Sequence, residues 1–258
     1  MRSMNSSNGP PHFSIIIPVW NRVKDGKLKR CLNSLITQTD SNFQAYIVDD
    51  GSSESEGVLE LVESYKDARL ECLRIPHSGR VIARNLGMEI ALRSTWTQWI
   101  CHLDSDDALD PTYLETLAYH IRSDPEKKVW VIGAVVHGML KENGRYICPK
   151  WTQLRKAWKP PKNPDGPGYL HFPSGHIGTG MFIFHRDCLK KTGLLPNWHS
   201  HLEVADGVDD YLGYKTGYSA AERWVGNPWG EDWALCRALS MHFDFGFSEA
   251  CLYIQYVR

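Results

Sequence analysis

Several things are scarce or missing in this chain, and each absence narrows what it can be. No apolar run is long enough to cross a membrane: the first, Phe13–Ile17, is far short of the about 20 residues a spanning helix needs. The opening residues 1–12, MRSMNSSNGPPH, contain no apolar segment of the kind a secretion signal carries, and read as a flexible leader. Neither sign of charge dominates. The net charge of −1 offers no broad basic face for nucleic acid or anionic lipid. The seven cysteines are odd in number and never spaced C-x-x-C, so a zinc-thiolate site is disfavoured and reduced thiols are expected. That fits a cytoplasmic protein, one that could meet a membrane only at its cytosolic face. There is no internal repeat, no G-x-G-x-x-G loop and no EF-hand spacing.

What is present is an ordinary globular composition, 42% hydrophobic over 258 residues. The first half alternates β-type and helix-type stretches. Phe13–Pro18, Phe43–Val48, Leu70–Ile75, Trp99–Leu103 and Lys128–Val136 read as strands. Leu28–Ile36, the stretch opening at Val58–Val62, Val81–Leu92 and Tyr113–Ile121 read as helices, the last behind Pro111 at its first position and Asp110 as its cap. Apolar strands alternating with helices imply a mainly parallel sheet covered on both faces. A hairpin is expected over Val135–Ile147 around Glu142-Asn143-Gly144. From Lys150 to Gly168 the chain is rich in proline, lysine and tryptophan without period, which reads as a mobile loop reaching to about 178. A strand over Met181–Phe184, a helix over Trp233–Met241 and a last strand over Ala250–Val257 follow. The expectation is a single domain over 13–258, with a nucleotide-type half at 13–136 and an acceptor-type half at 137–258.

Parallel α/β sheets bind ligands beyond the carboxyl ends of their strands. Three such ends carry Pro18-Val-Trp-Asn-Arg22, Asp49-Asp50-Gly51-Ser52 and Asp104-Ser105-Asp106-Asp107. Each alone is ordinary turn chemistry. Together they would converge on one cleft. Three carboxylates within four residues repel one another unless something positive lies among them, and an acid-x-acid strand end suits a hard cation such as Mg²⁺ or Mn²⁺.

The blocks FSIIIPVWNR, AYIVDDGSSE, GRVIARNLGME and WICHLDSDDALDP, in that order, resemble the family-2 glycosyltransferases of the GT-A fold. HIGTGMFIFHRDCLKKTG and WGEDWALCRAL are similar to that family's acceptor-side strand and ED helix. The resemblance covers roughly 13–240. It implies a Rossmann-like, mainly parallel sheet with helices on both faces, plus a smaller mixed sheet on the acceptor side. It also implies inverting transfer of a sugar from a nucleoside-diphosphate sugar, a UDP-sugar first among them, to a hydroxyl of a glycan, lipid-linked or other acceptor.

Residue by residue, the resemblance puts Pro18, Trp20 and Arg22 around the base and ribose. Asp50 would accept a hydrogen bond from the base, Arg80 and Arg84 would lie near the nucleotide, and Asp104 with Ser105 near the ribose. Asp106 would ligate Mn²⁺ or Mg²⁺. Asp232 would act as general base, with Glu231 holding the acceptor or orienting that base. Gly178, Thr179 and Gly180 would let backbone approach the donor sugar, and Trp229 and Trp233 could stack on an acceptor ring. Each has a plainer reading: helix surface charge for the arginines, first-turn acids favoured by the helix dipole for Glu231 and Asp232, a turn for the glycines, core packing for the tryptophans. Two other functions compete. One is a sugar-nucleotide nucleotidyltransferase, which would show a G-x-G-x-R-L loop where this chain has Pro18–Arg22. The other is an inactive relative that only binds glycans.

Overall fold

The computed structural model describes residues 10–142, 145–155, 179–194, 235, 236, 238, 239 and 242–257. The chain runs β1 (Phe13–Val19), α1 (Lys27–Ile36), β2 (Phe43–Asp50), α2 (Val58–Ser64), β3 (Leu70–Ile75), α3 (Arg80–Arg93), β4 (Trp99–His102), β5 (Ala108–Leu109) and α4 (Tyr113–Ser123). It continues with β6 (Val129–Glu142), β7 (Arg145–Arg155), β8 (Phe182–His185), α5 (Leu189–Thr192) and β9 (Phe245–Val257). The strands form one sheet in the order β3-β2-β1-β4-β8-β6-β9-β5, with β7 paired to β6.

The half built from β3, β2, β1 and β4 is wholly parallel, as its unbroken apolar strands predict. Beyond β4 the sheet is mixed. β8 runs antiparallel between β4 and β6, while β9 runs parallel to β6 and antiparallel to β5. The strands from residue 129 onward thus continue the main sheet edge to edge.

Side chains alternate across β1 and divide the core in two. Phe13, Ile15, Ile17 and Val19 pack with α1, α2 and α4 through Leu28, Leu32, Leu35, Val58, Leu114 and Leu117. Ile16 faces the other way, into a cluster with Val81, Met88 and Leu92 of α3, Phe184, and Leu189 of α5. Helices therefore cover both faces. Gly87 is what lets α3 come this close: a Cβ there would sit 2.5 Å from Ile16 Cγ2.

Four details differ from the sequence reading. Residues 150–155, expected to begin a mobile loop, are strand, because β6 pairs with β7 from Ala134↔Arg155 to Glu142↔Arg145. Pro10 and Pro11, expected within a leader, offer their carbonyls to Asn42 Nδ2, and His12 N donates to Gln98 Oε1. Pro111 lies two residues before α4, whose N-cap position is Thr112. Asp110 Oδ1 instead accepts from Thr112 N at 2.9 Å and Thr112 Oγ1 at 2.7 Å, a turn that feeds the helix. The helix expected over Trp233–Met241 lies mostly outside the described residues, but Leu235, Cys236, Ala238 and Leu239 are helical and buried. No helix among the described residues is long and apolar enough to cross a membrane.

Candidate active site

The carboxyl ends of β1, β2 and β4 and the start of α3 enclose a cleft of ≈ 310 Å³, lined by Pro18, Val19, Trp20, Arg22, Asp50, Arg80, Arg84, Asp104, Ser105 and Asp106. Their convergence follows from strand order. β1 lies between β2 and β4, so three loops distant in sequence leave the sheet side by side.

Backbone and side chains stitch these loops together. Asn21, in the left-handed region at φ 52, donates its N–H to Ser52 Oγ at 2.9 Å, and its Oδ1 accepts from Ser53 N at 2.9 Å. Glu56 accepts from Val23 N and Lys24 N. Asp49 is structural: it accepts from Ser52 N at 2.9 Å and pairs with Arg74 at 3.1 Å. Gly51 adopts φ 65, and a Cβ there would stand 2.5 Å from His77 N.

Asp50 faces the cleft, yet its two oxygens already serve the protein. They accept from Ser78 N at 2.7 Å and Gly79 N at 3.0 Å, and His77 Nδ1 lies 3.0 Å from Oδ2 and 3.0 Å from the Asp50 carbonyl oxygen. A carboxylate from β2 thus satisfies donors at the entrance to α3 and aims that helix start at the cleft. His77 also stacks on Trp20, ring centroids 4.7 Å apart, and Trp20 is 49% exposed. Sequence reasoning missed His77, Asn21 and Glu56. Only the unusual aromatic after Pro76 hinted at the first.

The acid loop answers the repulsion problem with the protein's own cations. Arg84, almost fully buried, pairs with Asp104. Asp106 has Lys27 Nζ at 3.7 Å and Arg22 Nε at 4.0 Å, and its carbonyl accepts from Arg30 Nη2 at 2.7 Å. Asp107 points away from the cleft into the core, where Tyr253 Oη donates to Oδ2 at 2.6 Å and Tyr256 N donates to Oδ1 at 2.9 Å. Burial, with Asp104 and Asp106 nearby, pushes the Asp107 carboxyl well above its usual range. Beneath the loop, fully buried His102 has no partner for either ring nitrogen, and burial aided by the Arg84 charge lowers it to about 3.

Asp104 and Asp106 keep about a third of their side-chain surface accessible (34% and 35%). Two open carboxylates suit a hard divalent cation held by one or two acids and completed by phosphate oxygens and water. Among the described residues no group of three His, Cys, Asp or Glu is placed to make an all-protein cage.

Of the residues expected from sequence, the structure gathers Pro18, Trp20, Arg22, Asp50, Arg80, Arg84, Asp104, Ser105 and Asp106 at one cleft. Gly180 is not among the lining residues; it sits under the ring of Tyr253, where a Cβ would come within 1.9 Å of that ring. Thr179 is in the single 3₁₀ turn Thr179–Met181. Gly178, Trp229, Glu231, Asp232 and Trp233 lie outside the described residues.

A doubly wound sheet with a parallel half and a cleft of mixed charge at its strand ends defines an α/β protein of the class whose ligands bind beyond the carboxyl ends of the strands. The particular family follows from comparison: residues 14–193 match the family model described as "Glycosyl transferase family 2", and the chain belongs to that family. It is 36% identical over 116 residues to the uncharacterized glycosyltransferase YibD of Escherichia coli, a match covering 44% of this chain and 30% of that one. It is 34% identical over 105 residues to glycosyltransferase GlyA of Streptococcus pneumoniae, covering 41% of this chain and 14% of GlyA. These matches span under a third of each relative's length. Among solved structures, S. aureus TarS superposes with a TM-score of 0.56 at 18% identity, covering 95% of this chain and 60% of that one. The mannosyltransferase PcManGT from Pyrobaculum calidifontis gives 0.56 at 14%, covering 97% and 58%. The fold is thereby that of the GT-A glycosyltransferases.

Proposed function

We propose that this chain moves a sugar from a nucleoside-diphosphate sugar, a UDP-sugar first among them, to an acceptor hydroxyl with inversion at the anomeric carbon. One observation carries the reading. Three arginines and two accessible carboxylates share a single cleft at the ends of β1, β2 and β4. Such a cleft suits a ligand that is anionic and brings a cation with it. TarS has been solved with UDP and with UDP-GlcNAc, and PcManGT with GDP-Man and Mn²⁺, which supports a diphosphate donor and a divalent metal here.

In this reading Pro18 and Trp20 flank the base, and Asp50 fixes the wall beside it. Arg22, Arg80 and Arg84 meet the diphosphate, where planar guanidinium forks match phosphate oxygens. Asp104 and Ser105 border the ribose. Asp106 would hold the metal, which would supply positive charge to offset that of the diphosphate. Asp232 takes the proton of the attacking hydroxyl, and Glu231 orients it or the acceptor. Gly178, Thr179, Gly180, Trp229 and Trp233 belong to the donor-sugar and acceptor side.

Thermal shift against UDP, GDP, TDP and CDP with Mn²⁺ tests the reading. At least one diphosphate should stabilise the chain, and Asp106→Asn should remove the Mn²⁺-dependent part. Asp232→Asn should keep the shift yet abolish transfer. No shift with any nucleotide would overturn the proposal, and a shift without transfer to any acceptor would favour an inactive binding relative.

A further inference from the structure

The last strand reaches into the acid loop by one side chain, and that contact has a use. Tyr253 is fully buried on β9, in register with Leu109 of β5. Its hydroxyl donates to Asp107 Oδ2 at 2.6 Å and stands 3.5 Å from the Asp104 amide. Three residues on, Tyr256 N donates to Asp107 Oδ1 at 2.9 Å, and the Tyr256 ring lies 3.8 Å beneath the Arg30 guanidinium that holds the Asp106 carbonyl. The opposite side of Tyr253 touches another segment. Its ring occupies the space a side chain at Gly180 would need, and the Gly180 carbonyl is fixed by Tyr113 Oη at 3.0 Å. Asp107 has both oxygens engaged inward, so it is not available to a ligand. It serves as the handle by which β9 grips the loop.

We propose that Tyr253, acting through Asp107, is a positioning residue that sets the acid loop against the Thr179–Met181 segment, so that Asp106 is presented to a metal–diphosphate ligand in one fixed geometry. The inference rests on the reading of the cleft given above. A buried hydroxyl–carboxylate contact of this length orders its partners strongly. Partners one step behind a metal ligand commonly change metal affinity by about 10- to 100-fold when removed. The glycine at 180 then has a physical reason distinct from donor approach: it makes room for the tyrosine ring.

The test uses Tyr253→Phe, which keeps the ring on Gly180 and removes only the hydroxyl, together with Asp107→Asn and the double variant. Titration calorimetry with UDP and GDP, each with and without Mn²⁺, gives the metal-dependent gain in affinity. Amide hydrogen exchange over residues 103–109 reports loop order directly. In Tyr253→Phe the metal-free affinity should stay within about twofold while the Mn²⁺-dependent gain falls by about tenfold. Exchange at 104–107 should quicken, and the double variant should be no worse than the worse single, as for residues acting as one unit. Equal loss of metal-free and metal-dependent binding would mean a merely structural role and overturn the proposal. So would an unchanged gain. If the unaltered chain gains nothing from Mn²⁺ with either nucleotide, the cleft assignment falls first. Exchange then judges the latch alone, and unchanged rates at 104–107 in Tyr253→Phe overturn it.

Discussion

His102 shows how a single residue departs from the general rule that buried polar atoms are paired. Neither of its ring nitrogens has a partner, and its ring meets the edge of Phe184 at 6.0 Å. Each dry polar atom costs stability. Its pKa falls from 6.5 to about 3, so the folded state binds fewer protons than the unfolded state between those values. This group therefore adds no pH dependence above pH 6.5, and stability is lost as pH falls below it, by up to about 1.4 kcal/mol per pH unit. His102→Phe should leave the urea midpoint at pH 7 unchanged or higher, and its advantage over the unaltered chain should widen from pH 6.5 to pH 4. Parallel pH curves for the two would refute this. The sequence displays the histidine between Cys101 and Leu103, but nothing in it says that the ring is dry.

At the scale of elements, α3 couples the core to the cleft. Its first five residues include Arg80 and Arg84, and its middle rests on β1 and β2 through Gly87. An alanine there would gain about 1 kcal/mol of helix propensity. Against this, its Cβ would press within 2.5 Å of Ile16 Cγ2 and 3.3 Å of Val48 Cγ2, both side chains fully buried. Overpacking costs about 1–3 kcal/mol, so Gly87→Ala should be destabilising by up to about 2 kcal/mol in denaturant unfolding. A stabilised variant would show that α3 can lift off the sheet. The strands and helices of the first half were readable because each is a continuous apolar run or an amphipathic stretch set off by turn residues. β7 was not. Its residues 150–155 mix lysine, tryptophan and arginine without alternation, and strand form comes from pairing with β6 across a register shifted at Gly138/Met139.

Over the whole molecule, net charge is −1 and gives no overall steering of an anion. In the proposed function, attraction for a diphosphate would therefore be local to Arg22, Arg80 and Arg84. Raising ionic strength from 0.05 to 0.5 M shortens the screening length severalfold, and nucleoside-diphosphate affinity should weaken by about threefold or more. The matching uncharged nucleoside should change little in the same calorimetric titration. Equal salt response of the two would place the arginines outside the binding event.

The sequence by itself determined the alternating α/β pattern, the parallel half-sheet, and the three strand-end motifs that meet at the cleft, because local apolar periodicity and turn chemistry are written in consecutive residues. Only the tertiary structure decided what neutralises the acid loop. Lys27, Arg30 and Arg84 lie 79, 76 and 20 positions before Asp106, Asp106 and Asp104 respectively, and Tyr253 lies 146 after Asp107. No local pattern links such partners. They meet because β4 and β9 lie in one sheet while α1 and α3 pack on opposite faces of it.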